Sequence, residues 1–270
     1  MNATENPPRQ CDKFYRASME LLQNSDIPFL VGGAYAFGVY TGIQRDTKDF
    51  DLFVQSKDVD RALEALRAGG YATEKTYPHW LAKAKCGEDV IDFIFAAGNG
   101  LCQVDSSWFQ RACDGELLGM PVRLCAPEEI IWMKAFIMER ERYDGADVIH
   151  LIESCADKID WQHLVHRFGQ DWRLLLSHLI LFGYVFPGER HRVPAEVMNQ
   201  LVQRLANDPA AGDSRLCRGT LLSRQQYLSD VENRGFRDAR LEERVSMDGE
   251  DIARWTGGIA VDGNPVSKTP

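Results

Sequence analysis

The sequence predicts an α+β protein: a mixed sheet with flanking helices over 11–125, then an all-helical domain over 126–230. Three observations carry this. Short apolar runs with period-two alternation recur between residues 27 and 124. Glycine pairs, Gly32-Gly33 and Gly69-Gly70, punctuate them. From Pro127 to about residue 205 the apolar spacing turns helical.

The elements follow in order. Residues 1–10 are polar, hold Pro7-Pro8 and are expected to be disordered. Phe14, Met19, Leu21 and Leu22 make a rough helical stripe over 11–24. The apolar run 27–31 ends in Gly32-Gly33, which predicts a strand running into a turn; residues 34–40 then favour helix, with Gly42 as its stop. Over 49–54, Asp49, Asp51 and Phe53 alternate with Phe50, Leu52 and Val54. An amphipathic helix over 59–68 ends at Gly69-Gly70. Strands are expected over 71–76 and 80–85, and Gly87-Glu88 turns the chain into a third over 90–95. There Val90, Asp92 and Ile94 share a face. A last short strand covers 120–124.

Pro127 suits a first helical position, with Glu128 and Glu129 in the first turn. Helices are expected over 127–142, 145–156, 160–168, 171–185 and 194–206. Residues 231–270 are polar, with Gly257-Gly258, Gly263, Asn264 and Pro265, and read as an irregular tail.

Composition narrows the function. With 270 residues and 44% hydrophobic content, the chain buries a core without disulfides. Its formal charge of −9 argues against non-specific nucleic-acid binding, which needs clustered Lys and Arg. Seven scattered cysteines lack C-x-x-C spacing, so reduced thiols of a cytoplasmic protein are expected, not a zinc site. No run approaches the ~18 apolar residues of a membrane helix, and the N-terminus has no signal-type core. The richest stretch, 174–186, contains Ser177 and His178 and reads as a core helix.

Three features of the first half carry chemistry. Gly32-Gly33 would let backbone N–H groups approach a phosphate at a helix start; a plain turn is the other reading. Asp49 and Asp51 sit on one strand face with Cβ atoms about 6–7 Å apart. Burying such a pair is costly unless a cation joins it, and magnesium is the natural one; a solvated strand face is the alternative. Asp92 lies inside the apolar run 90–95. If that strand lies beside 49–54, Asp92 would face the same cleft. It would then bind a second metal or take the proton of an attacking hydroxyl; otherwise it is an edge-strand residue facing water.

Other cations are less specific. Arg45 and Lys48 flank the acidic strand, either to neutralise a leaving pyrophosphate or as solvated charges. Lys134, in the apolar stretch 130–137, either reaches a triphosphate or snorkels to the surface. Arg140, Arg142 and Asp144 line a cleft or form helix-end ion pairs.

Together the motifs resemble the nucleotidyltransferase superfamily related to DNA polymerase beta. The signature here is Val31-Gly32-Gly33, fifteen residues, then Asp49-Phe50-Asp51. The spacer is longer than in polymerase-like members. With Arg45-Asp46-Thr47-Lys48, it is similar to that of lincosamide-type antibiotic nucleotidyltransferases and of nucleotidyltransferase toxins of abortive-infection systems. The segment from Pro127 through Lys134 to Asp144 and Asp147 is similar to the helix pair after the catalytic sheet. The run 160–187 resembles uncharacterised bacterial nucleotidyltransferase family proteins.

The resemblance implies a nucleotidyltransferase fold over 11–125. Gly32 and Gly33 would hold nucleotide phosphates, Asp49 and Asp51 would bind magnesium, and Asp92 would be the third acid. It implies a pair of magnesium ions, an NTP such as ATP as donor, and transfer of an NMP to an acceptor hydroxyl with release of pyrophosphate. A small-molecule acceptor suits the acidic chain better than tRNA. A toxin acting on tRNA or protein, and a silent nucleotide-binding module, are the rival readings.

Overall fold

A computed structural model describes residues 10–45, 47, 49–209 and 215–258. Residues 1–9 of the N-terminus expected to be disordered, Lys48, and residues 259–270 of the expected tail lie outside the described residues. Those described fall into two compact units. One is drawn from Met1–Gly38, Gln44–Phe95 and Gln103–Cys125, the other from Val39–Ile43, Ala96–Cys102 and Ala126–Pro270.

The first unit holds, in chain order, α1 (Gln10–Asn24), β1 (Leu30–Val31), the start of α2 (Gly33–Thr41), β2 (Asp49–Phe53), α3 (Val59–Ala68), β3 (Ala72–Tyr77), β4 (Leu81–Cys86), β5 (Asp89–Ile94), α4 (Ser106–Arg111), β6 (Cys113–Leu117) and β7 (Met120–Leu124). Its strands form one mixed sheet in the order β3-β4-β5-β2-β1-β7-β6. Short turns give the antiparallel pairs β3–β4, β4–β5 and β6–β7. The β2–β5 pair is parallel and non-local, and β1–β7 likewise.

One sheet face is apolar at its centre: Phe50, Leu52, Ala82, Ala84, Ile91 and Phe93 are all buried there. Helix α3 packs on β3 and β4. Helix α1 brings Tyr15 to within 4.8 Å of the Phe50 ring, centroid to centroid. Burial of a Phe or Leu side chain stabilises by about 1.5–3 kcal/mol, so this layer anchors β2 and β5. Their odd-numbered and even-numbered acidic positions respectively are thereby turned to the opposite face.

The first strand is shorter than 27–31. The Ile27 N–H closes onto the Leu22 carbonyl at the end of α1, and Pro28 has no N–H for a ladder. Helix α4 and strand β6 are additional to the expected elements. The β6 sequence, Cys-Asp-Gly-Glu-Leu, has little apolar alternation, and it becomes a strand by pairing with β7 at the sheet edge.

The second unit is helical: α5 (Pro127–Ala135), α6 (Gly145–Cys155), α7 (Trp161–Phe168), α8 (Trp172–Val185), α9 (Ala195–Ala206), α10 (Leu228–Asn233) and α11 (Gly249–Gly257). A two-residue parallel pair, β8 (Leu216–Cys217) with β9 (Arg237–Asp238), is added. Helix α5 stops at Ala135, short of the expected 142. Glu139 is drawn aside by Ser223 and Arg224, while its N–H bonds the Arg142 carbonyl in a turn. The expected irregular tail contains α11, whose start is a capping box: Asp248 accepts from the Asp251 N–H and Asp251 accepts in return. Among the described residues no helix is long and apolar enough to cross a membrane.

Candidate active site

The acidic face of the sheet is set by register. Asp49 and Asp51 are the first and third residues of β2, with Phe50 anchored on the other side. Across the parallel β2–β5 pair, Asp51 stands directly beside Asp92, and Asp49 beside Val90. Register partners share a face, so all three carboxylates emerge on one side. Exposure grades along the row: Asp49 is exposed, Asp51 intermediate, and Asp92 only 8% exposed.

The next strand supplies counter-charge. Lys83 on β4 is the register partner of Asp92, and Lys85 that of Val90. The Lys83 Nζ donates to Asp92 Oδ1 at 2.8 Å. Burial pushes the Asp92 carboxyl up, and the hydrogen bond and charge of Lys83 pull it down only in part, so it stays above the ordinary value. Lys85 donates to Glu74 Oε1 at 3.0 Å. The order across the sheet is therefore cation, acid, acid: Lys83, Asp92, Asp51.

Gly32 and Gly33 close the row. The Gly32 N–H donates to the Asp51 carbonyl at 3.0 Å, and the Gly32 carbonyl accepts from the Ala36 N–H in the first turn of α2. Gly33 has φ +53°, and a Cβ there would overlap the Asp51 carboxylate. A Cβ on Gly32 would overlap the Phe53 ring. Backbone alone fits here, and the N-terminal end of α2 lies against the Asp51 carboxylate, where the helix dipole favours negative charge.

Loop residues before β2 add detail. The Thr47 hydroxyl contacts both the Asp49 carbonyl at 3.0 Å and Asp49 Oδ1 at 3.3 Å. The Arg45 guanidinium lies 4.5 Å above the Phe37 ring, which ties it to α2. Lys134 sits in the second unit, with Nζ 2.7 Å from Asp144 and 2.8 Å from Asp147. Two carboxylates account for its partly buried position without a phosphate. Arg142 makes two bonds of 2.9 Å to the same Asp144.

The donor set fits magnesium: hard carboxylate oxygens beside backbone that admits no side chain. Among the described residues no three His, Cys, Asp or Glu side chains converge enough to cage an ion. Magnesium does not need such a cage, because one or two carboxylates suffice when waters and substrate phosphates complete its shell. A groove of about 320 Å³ lined by Phe29, Asp114, Pro121 and Val122 contains none of the three acids.

Sequence reasoning missed Lys83 and Lys85, and it named Thr47 only as part of the stretch 45–48, with no role of its own. The lysines were within reach. A two-residue turn at Gly87-Glu88 pairs Cys86 with Asp89, and counting back from there puts Lys83 opposite Asp92.

Comparison with known proteins adds a family. Among solved structures, the chain is similar to the antibiotic-resistance factor ANT(2'')-Ia at 17% identity, covering 62% of this chain and 95% of that one, with a TM-score of 0.43. It is similar to the lincosamide antibiotic adenylyltransferase LnuA at 14% identity, covering 54% and 98%, with a TM-score of 0.38. It is also similar to JHP933 from Helicobacter pylori at 14% identity, covering 74% and 97%, with a TM-score of 0.38. No curated protein matches the chain. The family model for nucleotidyl transferases of unknown function (DUF2204) matches residues 12–175, well over half of the sequence, and the chain belongs to that family of enzymes.

Proposed function

We propose that this nucleotidyltransferase moves an NMP from an NTP to an acceptor hydroxyl, with magnesium held by Asp49 and Asp51 and with Asp92 completing the site. The observation that carries this reading is the register pair Asp51–Asp92, with the Gly33 backbone closed onto the Asp51 carboxylate. When bound, magnesium neutralises phosphate oxygens and stabilises charge on the leaving pyrophosphate. The chain's own residues do the rest. Gly32 and Gly33 present backbone to the phosphates at the start of α2. Thr47 steadies Asp49. The acceptor oxygen forms a bond to the α-phosphorus, the bond from that phosphorus to the pyrophosphate oxygen breaks, and Asp92 takes the hydroxyl proton. Arg45, close to this loop, balances the charge of the leaving group.

The acceptor we favour is a small hydroxylated molecule. A formal charge of −9 works against a polyanion such as tRNA. Asp49→Asn and Asp51→Asn should each abolish transfer while leaving the circular dichroism spectrum unchanged. The assay is pyrophosphate release from each of the four NTPs with magnesium, offered small hydroxylated metabolites, tRNA and a protein lysate separately. Release with the metabolites, absent in both variants, is the expected result. Unchanged turnover in either variant would overturn the mechanism. Release with tRNA or lysate alone would reassign the acceptor, and NTP binding without any release would make the chain a silent binding module.

A further inference from the structure

The position of Lys83 bears on how many ions this site takes. It is the register partner of Asp92, its ammonium donates to Asp92 Oδ1 at 2.8 Å, and its side chain is only 24% exposed. The neighbouring cation on the same strand, Lys85, is engaged by Glu74. Asp92 therefore has a tethered cation fixed on it, and it is also the most buried of the three acids. A buried carboxylate needs a positive partner, and here the chain carries that partner itself. A divalent ion on Asp92 would have to displace the ammonium and then sit beside it, an unfavourable like-charge contact in a partly desolvated place.

We propose that Lys83 supplies at Asp92 the positive charge a second metal ion would otherwise bring. The resting chain then takes a single divalent ion, at Asp49 and Asp51, in place of the pair that the family resemblance implies. Asp92 stays bare of metal: one of its oxygens is held by Lys83, and the other faces the acceptor. This inference rests on the reading of Asp49 and Asp51 as the metal site. It makes Lys83 a positioning residue and predicts a metal count that neither family membership nor the carboxylate row fixes.

The test is a titration of the full-length chain with Mn²⁺ in the absence of nucleotide, with free Mn²⁺ followed by its electron paramagnetic resonance signal. Wild type should bind one ion per chain. Asp92→Asn should still bind one, and the double variant Asp49→Asn/Asp51→Asn none. Lys83→Met, and Lys83→Gln as a second variant, should bind two. Both should also melt below wild type without metal, because Asp92 loses its partner, and should recover on adding Mn²⁺. Two ions on wild type, or one on both Lys83 variants, would overturn the inference and leave the Asp49–Asp51 site standing. No ion on wild type would remove the metal-site reading and this inference with it.

Discussion

At the scale of single residues, Gly33 is a position of the site where a side chain is forbidden twice over. Gly33 combines a left-handed φ of +53° with a backbone closed onto the Asp51 carboxylate. Gly33→Ala therefore carries two separate penalties. The left-handed conformation costs a non-glycine residue roughly 1–3 kcal/mol. The added methyl also has to push the carboxylate aside. A displacement of about 1 Å at a reacting centre costs on the order of a hundredfold in rate. We expect the alanine variant to fold with a lower melting temperature and to lose at least that factor in kcat. Steady-state kinetics beside a thermal melt separates the two effects. A variant with normal kcat would show that the close approach has no part in the chemistry.

At the scale of elements, a buried carboxylate joins two helices of the second unit. Glu129 on α5 is fully buried and accepts from Arg167 on α7 at 2.9 Å, with His163 Nε2 at 2.8 Å. The Arg167 guanidinium also stacks 4.9 Å from the Trp132 ring. Removing one partner of a buried pair strands the other charge, at a cost of about 3–5 kcal/mol. Glu129→Ala should lower the unfolding free energy by that amount and the urea midpoint with it, whereas Glu64→Ala, in an exposed pair with Arg67, should change the free energy by less than about 1 kcal/mol. Equal midpoints would refute this account of how α5 and α7 are joined.

The same scale shows what was legible in the sequence. Locally encoded elements came through closely: 59–68 and 120–124 coincide with α3 and β7, because amphipathic period and flanking turns are contained in the segment itself. The β3–β4–β5 hairpins were legible for the same reason. The parallel pairing of β2 with β5 was not. Nothing local marks it, so whether Asp92 joined Asp49 and Asp51 had to remain conditional on the sheet order. Strand β6 is a strand by its partner and not by its composition. Helix α11 did carry a readable signal, Asp248 three residues ahead of Asp251, but it was submerged in a polar stretch.

At the scale of the whole molecule, acid stability follows from how charges are buried. His178 on α8 is 1% exposed, its Nε2 donates to the Ala135 carbonyl at 3.1 Å, and burial pushes its pKa below the ordinary 6.5. As pH falls through 6.5, the unfolded chain takes up a proton at this imidazole and the folded chain does not. The unfolded state then binds more protons, so stability drops as pH drops, by at most about 1.4 kcal/mol per pH unit for one group. A further loss follows below 3.8. Burial raises the Asp144 and Asp238 carboxyls, but hydrogen bonds and charge, from Arg142 and Lys134 for Asp144 and chiefly from Arg240 for Asp238, more than offset it and hold both below that value. Asp92 and Glu128, lifted mainly by burial, act in the opposite sense, because protonation relieves them. The total curve therefore mixes signs, and His178 has to be isolated by difference. His178→Gln keeps an N–H for Ala135 and removes the titration. Urea unfolding of both proteins at about pH 7 and about pH 5 should show wild type losing more stability over that interval than the variant. Parallel losses would mean that the imidazole is protonated in the folded chain and that its burial is not what sets the acid limit.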